Sequence, residues 1–197
     1  MKRLLAIGLL LITSACTASS ADDASSAQDS ADTETKGSPP SNFVSVRPGL
    51  YRGGHPDAEN LDYLKSLGVK RILDLEVGDF IEAFPWEISE EMDNASQRDL
   101  KEIRYPMSAF EPAVSDRFDK DMNEIIALLA TATADDPIYV HCKHGQDRTG
   151  LVIGLERVFD EKWAPKDAHD EMVKIGFHTG FAGLEEYFEN KTGWQDD

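Results

Sequence analysis

The 197-residue sequence has few cysteines and few basic residues. Cys16 and Cys142 are its two cysteines, so at most one intrachain disulfide could form. Lysine and arginine number 20 against 37 acidic residues, which gives a formal net charge of −17. Because binding of nucleic-acid phosphates requires a basic surface, no nucleic acid is expected as a partner. A small phosphorylated ligand is compatible with this acidity, since the field inside a binding loop matters more than net charge.

The sequence also lacks a hydrophobic run long enough to span a bilayer. At the N-terminus, Lys2 and Arg3 precede a short apolar stretch over residues 4–12, as in an export signal. Small residues then lead to Cys16, a pattern that resembles bacterial lipoprotein signals, in which this cysteine is lipidated. We therefore expect residues 1–16 to be a signal peptide and the protein to be lipid-anchored in the periplasm or at the bacterial cell surface. An ordinary cleaved signal, giving a soluble periplasmic protein, is the alternative.

Apolar residues are scarce immediately after the signal. Residues 17–42 are mainly Ser, Ala, Thr, Asp and Pro, which predicts a disordered acidic tether. Residues 43–197 have enough length and apolar content for one domain. Alternating apolar strand and helix patterns predict an α/β fold with a central, mostly parallel sheet flanked by helices. The predicted strands are 43–46, 50–52, 69–75, 102–105 and 137–140, and the predicted helices 57–67, 89–100, 116–130, 151–155, 166–175 and 184–189.

The segment HCKHGQDRTG, residues 141–150, joins a predicted buried strand to a predicted helix. A helix N-terminus offers unpaired N–H groups and a positive dipole end, so a loop wrapped onto it can hold an oxyanion. Cys142 lies among these donors and near basic side chains, so we expect it to be a thiolate at neutral pH. A thiolate can attack phosphorus. Arg148, six residues later, has a planar fork that matches two phosphate oxygens.

Other residues of the same segment have predicted roles in binding or activation. Thr149 can donate its hydroxyl to the thiolate, and His141 is expected to fix the thiolate through hydrogen bonds. Gly145 leaves room for close backbone approach to the ligand. The predicted substrate-binding residues of the loop are Lys143, His144, Gly145, Gln146, Asp147 and Arg148. The acid at Asp147 opposes anion binding, so we expect its carboxylate to point outward.

At these positions the chain resembles the cysteine-dependent phosphatases, whose signature is HCxxGxxR followed by Ser or Thr. It is similar in particular to the small dual-specificity-like enzymes of bacteria, plants and fungi, some of which act on inositol polyphosphates. The resemblance runs from about residue 42 to about residue 190 and includes YRGG, YPMSAFEP and DEMVKIGFH. It implies a general acid on a loop before the motif, for which Glu111 is the best-placed candidate and Asp116 the runner-up. It also suggests Arg52 as a second phosphate contact, with a structural salt bridge as the equal alternative.

The expected activity is phosphomonoester hydrolysis through a phosphocysteine, of the dual-specificity or tyrosine phosphatase type. An inositol polyphosphate phosphatase and a non-catalytic lipoprotein that binds phosphorylated ligands are the alternatives. A zinc site at His141, Cys142 and His144 lacks the usual second ligand pair, so no metal or other cofactor is expected. The expected partner is a phosphorylated small molecule or phosphoprotein. The protein is expected to be a monomer that touches the membrane only through a lipid anchor.

The aromatic segment at residues 76–88 has no clear period. It is predicted to be a loop that packs its aromatic side chains on the core, with a lid over the site as the alternative. Ser89 is the predicted N-cap of the helix that follows.

Overall fold

The computed structural model describes residues 36–77, 85–108 and 116–195, and a five-stranded sheet lies at the centre of this described part. The strands are β1 Val44–Arg47, β2 Leu50–Gly53, β3 Arg71–Asp74, β4 Lys101–Arg104 and β5 Ile138–His141. Their spatial order is β1-β2-β5-β3-β4. Only β1 and β2 pair antiparallel, and the other three pairs are parallel. The predicted α/β fold with a mostly parallel sheet is confirmed.

Helices cover both faces of the sheet. The helices are α1 Ala58–Ser66, α2 Pro85–Ser96, α3 Asp116–Leu129, α4 Asp147–Phe159, α5 Pro165–Lys174 and α6 Ala182–Thr192. Ile72 and Tyr139 pack with α1 and α2 on one face, whereas Leu73 and Val140 join the larger core with α3 to α6 on the other. This alternation follows from the two-residue period of a strand. Within the described ranges, no helix has the length and apolarity needed to cross a bilayer.

The first helix begins where the sequence predicts. The Asp57 carboxylate accepts a hydrogen bond from the backbone N–H of Asn60 at 2.8 Å, and Asn60 Oδ1 accepts one from the N–H of Asp57 at 3.1 Å. This reciprocal capping pairs two N–H groups that the helix itself cannot satisfy. Gly68 follows with φ +83°, a conformation that glycine adopts without a steric penalty. A helix followed by a sharp turn therefore delivers the chain into β3.

The predicted start of the second helix is wrong. Helix α2 begins at Pro85, one turn before the predicted cap Ser89, whose hydroxyl instead donates to the Pro85 carbonyl at 3.0 Å. Proline suits the first turn of a helix because the missing N–H has no partner there. Trp86 is 58% exposed, so it does not pack on the core as predicted, and residues 78–84 lie outside the described part.

The last residues of the predicted tether contact the domain. The carbonyls of Ser38 and Ser41 accept hydrogen bonds from Asn60 Nδ2 and from the Gly54 N–H, at 3.0 and 2.8 Å. These contacts join residues 38–41 to the rest of the described chain. The signal peptide, Cys16 and the rest of the tether up to residue 35 lie outside the described residues.

The buried helix α4 is fixed to the edge strand β1 by charged side chains. Arg47 Nε lies 2.7 Å from Glu156 Oε1, and Arg157 Nη1 donates to the Val46 carbonyl at 3.1 Å. The Arg157 guanidinium also donates to Glu171 of α5, at 2.8 and 3.0 Å. Buried charges of this kind are tolerated because each has an opposite charge or a carbonyl beside it. These pairs hold the C-terminal half of α4, so its N-terminus meets the end of β5 in a fixed geometry.

Glu102 of β4 is a buried acid that favours its protonated form. Its Oε1 is 3.7 Å from Arg104 Nε, and neither carboxylate oxygen has a hydrogen-bond partner among the described residues. Burial, followed by the charges of Glu91 and Asp74, raises the pKa of Glu102 to about 7. Between its ordinary pKa of 4.5 and 7 the folded state therefore binds more protons than the unfolded state, and stability falls as pH rises through this window.

Replacing Glu102 with glutamine should remove this loss of stability. We expect Glu102→Gln to be more stable than the native chain by about 1–2 kcal/mol at pH 8 and to show no such gain at pH 4.5, because the carboxyl then carries its proton in the folded state. Thermal unfolding at the two pH values measures the difference. Glu90→Gln, on an exposed side chain of α2, is the matched control and should change neither value. A gain that is equal at both pH values would contradict the explanation.

Candidate active site

The segment of residues 142–146 connects the end of β5 to the first turn of α4, as the sequence predicts. His141 ends β5 and pairs in register with Gly53 of β2 and Asp74 of β3, which end the neighbouring parallel strands. The loop, called here the catalytic loop, therefore lies at the carboxyl edge of the sheet, where α/β folds bind ligands. In the first turn of α4, the N–H groups of residues 147–149 have no acceptor within the helix and point to this edge.

Three successive carbonyls of the catalytic loop are held from outside the loop. The carbonyls of residues 143, 144 and 145 accept hydrogen bonds from the N–H of His55, Nδ2 of Asn42 and Nη2 of Arg52, at 3.2, 2.9 and 2.7 Å. In a trans peptide the N–H points away from its carbonyl. The N–H groups of residues 144–146 are therefore turned to the opposite side. Such a row of amides forms an anion-binding concavity without any cofactor.

Glycines allow the YRGG segment to lie directly against the catalytic loop. Gly145 has φ +69°, and a Cβ at this position would lie 2.2 Å from the Gly53 carbonyl carbon. A Cβ on Gly54 would lie 2.2 Å from Ser41 Oγ and 3.1 Å from the Lys143 carbonyl oxygen. The Tyr139 hydroxyl donates to the Gly54 carbonyl at 2.6 Å and so fixes this segment from below. The YRGG segment is thus the support of the catalytic loop.

The predicted nucleophile and its arginine both lie in this loop region. Cys142 is a free cysteine, 2% exposed, directly after β5. The Arg148 guanidinium is buried in the first turn of α4, with Nη1 3.4 Å from the carbonyls of both Leu75 and Met107. These two carbonyls follow the ends of β3 and β4, so the sheet edge orients the guanidinium. Because Arg148 is already oriented, little of its conformational freedom is lost when a ligand binds.

Arg52 lies under the catalytic loop. It is 1% exposed and donates from Nη2 to the Gly145 carbonyl, whereas its Nε and Nη1 have no hydrogen-bond partner among the described residues. Burial lowers the pKa of Arg52 to about 10, partly offset by Glu171 and Cys142, so the guanidinium is charged at neutral pH. It adds positive charge next to the loop and fixes one carbonyl. Its direct contact with phosphate stays a prediction.

The carboxylate of Asp147 points to the turn after α5. Its Oδ1 accepts a hydrogen bond from the backbone N–H of His178 at 2.7 Å and lies 3.0 Å from His178 Nδ1. The charge therefore remains beside the anion site but is engaged elsewhere. The same turn packs against Gln146. The contact is so close that a Cβ on Gly176 would lie 2.4 Å from Gln146 Nε2. The turn after α5 thus sets the orientation of two predicted binding residues.

Neutralising Asp147 should strengthen anion binding. Asp147→Asn keeps an oxygen that can accept from His178 but removes a negative charge beside the loop. A nearby charge in a solvated site changes the binding free energy by about 1 kcal/mol. We therefore expect the dissociation constant for inorganic phosphate to fall by about two- to five-fold. Titration calorimetry measures this change. Asp160→Asn, at the other end of α4, is the control and should leave the constant unchanged; weaker phosphate binding by Asp147→Asn would contradict the electrostatic argument.

The remaining predicted residues of the loop have different environments. Thr149 is fully buried, and its hydroxyl has no hydrogen-bond partner among the described residues, so its predicted bond to the Cys142 sulfur stays a prediction. Lys143 Nζ lies 3.1 Å from Glu87 Oε2, and His144 is exposed. Asp116, the runner-up acid, is an exposed residue at the start of α3. Glu111 lies outside the described residues, so the identity of the acid stays a prediction.

His141 belongs to a buried group that the sequence did not reveal. The histidine–glutamate cluster consists of His55, Glu76, Glu91 and His141. His55 Nδ1 is 2.8 Å from Glu76 Oε1 and 3.2 Å from Glu91 Oε2, and His141 Nε2 is 2.9 Å from Glu91 Oε1. The sequence feature that could have identified Glu91 is its spacing in helix α2. Glu91 is three residues after Ile88 and four before Ala95, so the three side chains share one buried face. That face could be recognised only if the helix was known to begin at Pro85.

The charges inside this cluster stabilise one another. Burial alone would lower the pKa of His141, but Glu91 and Glu76 raise it well above its usual value. Burial likewise opposes the charged form of His55, yet the hydrogen bond to Glu76 and the charge of Glu91 raise its pKa. The pKa of Glu76 is held well below its usual range by the two histidines, against the effect of burial. His141 thus interacts with carboxylates directly behind Cys142, and its predicted bond to the thiolate is not tested.

An amide-lined loop carries a thiol and a guanidinium and connects a parallel strand to a helix. This combination of fold and site is that of the cysteine-dependent phosphatases. The family model described as the tyrosine phosphatase family matches residues 38–190. The chain therefore belongs to this family, and the resemblance inferred from the sequence is confirmed.

Curated relatives include two kinds of phosphatase. Inositol diphosphatase DSP1 of Oryza sativa subsp. japonica is 32% identical over 137 residues, which are 70% of this chain and 58% of that protein. The dual specificity protein phosphatase TpbA of Pseudomonas aeruginosa is 28% identical over 142 residues, 71% of this chain and 56% of that protein. The matched region thus spans less than two thirds of these relatives.

Solved structures show the same fold. The Siw14 catalytic core superimposes with a TM-score of 0.64 at 25% identity and covers 82% of this chain and 89% of that chain. A related structure is the core catalytic domain of the PP-IP phosphatase SIW14 from S. cerevisiae, with a TM-score of 0.62, 24% identity, and coverage of 78% and 86%. TpbA of P. aeruginosa gives a TM-score of 0.61 at 24% identity and covers 76% of this chain and 84% of that chain.

Proposed function

We propose that the protein hydrolyses phosphomonoesters through a phosphocysteine at Cys142, as a phosphatase of the dual-specificity or tyrosine type. The observation that carries this proposal is the catalytic loop, whose three carbonyls are held outward while a buried thiol and an oriented Arg148 lie at the same helix N-terminus. Preorganised amides and a guanidinium stabilise charge as it shifts during phosphoryl transfer. Family membership supports the same reaction.

The reaction has two steps. The Cys142 thiolate attacks phosphorus, the bond from phosphorus to the ester oxygen breaks, and an acid protonates the departing oxygen. Water then attacks phosphorus, the bond to sulfur breaks, and inorganic phosphate leaves. Glu111 is the proposed acid and Asp116 the runner-up. Arg148 and the loop amides bind the same three phosphoryl oxygens in both steps.

A second candidate substrate class, inositol polyphosphates, is favoured by a specific observation. Lys143 adds a positive charge at the rim of the catalytic loop, where a polyanion could reach it, and its Nζ lies 3.1 Å from Glu87 Oε2, with the exposed His144 beside it. Some relatives carry inositol diphosphatase in their names, whereas TpbA carries dual specificity protein phosphatase. A phosphotyrosine substrate would instead need an apolar wall, and the exposed Trp86 at the start of α2 offers an aromatic surface.

The Lys143→Gln variant should separate the two substrate classes. If additional phosphates bind the rim, we expect kcat/KM for inositol hexakisphosphate to fall by about ten-fold, because one contact to a charged group is lost. For a phosphotyrosine peptide the loss should be less than about three-fold. Phosphate release from both substrates at equal concentrations measures this. Lys174→Gln, an exposed lysine on α5, is the charge-matched control. An equal loss with both substrates would remove the support for an inositol polyphosphate.

We further propose that the protein is exported and anchored by a lipid at Cys16, and that it acts as a monomer. The basic start, the short apolar stretch and the small residues before Cys16 support export and lipidation. Cell fractionation of Cys16→Ser tests it. The variant should move from the membrane to the soluble fraction, and an unchanged membrane fraction would contradict lipidation at this residue.

A further inference from the structure

The histidine–glutamate cluster has the composition and spacing of a transition-metal site. Two imidazoles and two carboxylates offer one ligand atom each, and these four atoms lie within 4.8 Å of one another. Three of the four side chains are fully buried, and that of His55 is 20% exposed. Zinc prefers four nitrogen, oxygen or sulfur ligands in a tetrahedron. A buried set of two histidines and two glutamates satisfies that preference without using Cys142.

The distances are close to those that a bound ion would require. A tetrahedron with metal–ligand bonds near 2.05 Å has edges of about 3.4 Å. In the cluster, Glu76 Oε1 lies 2.8 Å from His55 Nδ1 and 3.7 Å from His141 Nδ1, and Glu91 Oε2 lies 3.2 Å from His55 Nδ1. These separations lie on both sides of the tetrahedral edge. Small shifts of the side chains are therefore enough to seat an ion among them.

Several buried polar atoms of the cluster lack a well-formed hydrogen bond. Glu76 Oε2, both carboxylate oxygens of Glu91 and both ring nitrogens of His141 have no hydrogen-bond partner of good geometry in the described part of the chain. Glu91 and His141 therefore face each other at ion-pair distance but with poor alignment. Buried polar atoms are rarely left in this state. An ion bound between these side chains would give each of them a partner.

The charge balance permits either protons or a metal. Two imidazolium and two carboxylate groups have a net charge of zero. A divalent ion with two neutral imidazoles and the same two carboxylates also has a net charge of zero. Metal can therefore replace two protons without leaving an uncompensated charge in the buried cluster.

A cavity adjoins the cluster. A cavity of about 180 Å³ beside α2 is lined by His55 and Glu91, both cluster members. Its other lining residues include the acids Asp57, Glu87 and Glu90. Negative charge at the mouth of a cavity raises the local concentration of cations. The partly exposed His55 lies between this cavity and the buried members of the cluster.

We propose that His55, Glu76, Glu91 and His141 form a binding site for a divalent transition-metal ion, zinc by preference. The ion joins the loop after β2, the end of β3, helix α2 and the last residue of β5. It therefore clamps α2 to the sheet edge directly behind Cys142. The site is separate from the phosphoryl-transfer chemistry, which uses the thiol, the loop amides and Arg148. The expectation from sequence that the chain has no metal site is replaced by this proposal.

Zinc binding is best tested in Cys142→Ser, because a reactive thiolate could itself bind zinc. The full chain is freed of metal with a chelator and titrated with Zn²⁺ or with Co²⁺ as a spectroscopic probe. We expect one ion per chain, the intense visible absorption of tetrahedral cobalt, and a Tm raised by about 5 °C or more at a zinc concentration about 100 times the dissociation constant. No saturable binding, or an octahedral cobalt spectrum, would overturn the proposal.

Ligand variants then locate the ion. In the same Cys142→Ser background, Glu91→Gln and His55→Asn should each weaken zinc binding by at least about ten-fold. Glu186→Gln, on an exposed side chain of α6 away from the cavity, should leave the affinity unchanged. Unfolding curves recorded with chelator confirm that each variant is folded, and His55→Asn still tests the site if Glu91→Gln is unfolded. Undiminished zinc affinity in both ligand variants would show that the ion binds elsewhere and would refute the assignment.

Discussion

Replacing Cys142 with serine is expected to lower kcat for phosphate release by at least about 10⁴-fold. The nucleophile and its loop act together, so removing the nucleophile alone abolishes most of the catalysis. A serine hydroxyl is a much weaker nucleophile than a cysteine sulfur, so it is not expected to attack phosphorus at a comparable rate. The amides and Arg148 remain, so Cys142→Ser should still bind inorganic phosphate with an affinity within a few-fold of the native chain.

The loss of activity is linked to a chemical intermediate. Rapid quenching of the native protein during turnover of a labelled phosphomonoester should trap phosphate on Cys142, and the variant should trap none. Cys16→Ser, which removes the chain's other cysteine, is the matched control and should retain both turnover and the trapped species. If Cys142→Ser released phosphate at the native rate, the covalent mechanism would be wrong. If the native chain itself released none yet bound phosphate, the non-catalytic lipoprotein alternative would be favoured.

Gly145→Ala is expected to damage both the fold and the site. The native φ of +69° costs an alanine about 1–2 kcal/mol, and its Cβ would lie 2.2 Å from the Gly53 carbonyl carbon. Overpacking of this kind adds about 1–3 kcal/mol. We therefore expect the free energy of unfolding to fall by about 2–5 kcal/mol. Because the displaced peptide forms part of the amide row, kcat/KM should fall by about 100-fold or more.

Urea unfolding and steady-state kinetics at one pH measure the two effects. Gly180→Ala is the matched control, because a Cβ there meets nothing within 4 Å and the backbone is not in the left-handed region. That variant should be within about 0.5 kcal/mol of the native chain, as is usual for surface changes, and fully active. A Gly145→Ala protein with native stability and activity would show that the YRGG segment yields easily and does not fix the loop.

The catalytic loop could be predicted from sequence because its information is local. Cys142 and Arg148 are six residues apart, and the strand before them and the helix after them have clear apolar patterns. The start of α1 was also predictable, since Asp57 and Asn60 cap each other within four residues. Helix α2 was harder. Its buried face includes the charged Glu91, which interrupts the apolar period, so the first turn resembled a loop.

The support of the loop and the histidine–glutamate cluster could not be predicted because their members are distant in the chain. The bond from Arg52 to the Gly145 carbonyl spans 93 residues, and the contact of Asn42 with the His144 carbonyl spans 102. Neither Glu76 nor Glu91 is distinguishable in sequence from the many acids of this chain. Only the packing of α2 on the sheet edge brings the two carboxylates to the two histidines. Sequence thus predicted the proposed reacting groups, and the tertiary structure shows which residues orient the loop that carries them.

The contact between the YRGG segment and the catalytic loop means that each stretch restricts which residues the other can carry. A Cβ on Gly145 would meet the Gly53 carbonyl, and a Cβ on Gly54 would approach the Lys143 carbonyl, so a larger residue at either position requires a compensating change across the contact. Transplanting the ten-residue motif alone onto another α/β scaffold would bring the thiol and the guanidinium but leave three carbonyls without donors. A functional graft needs the β1–β2 hairpin and its flanking Asn42 as well.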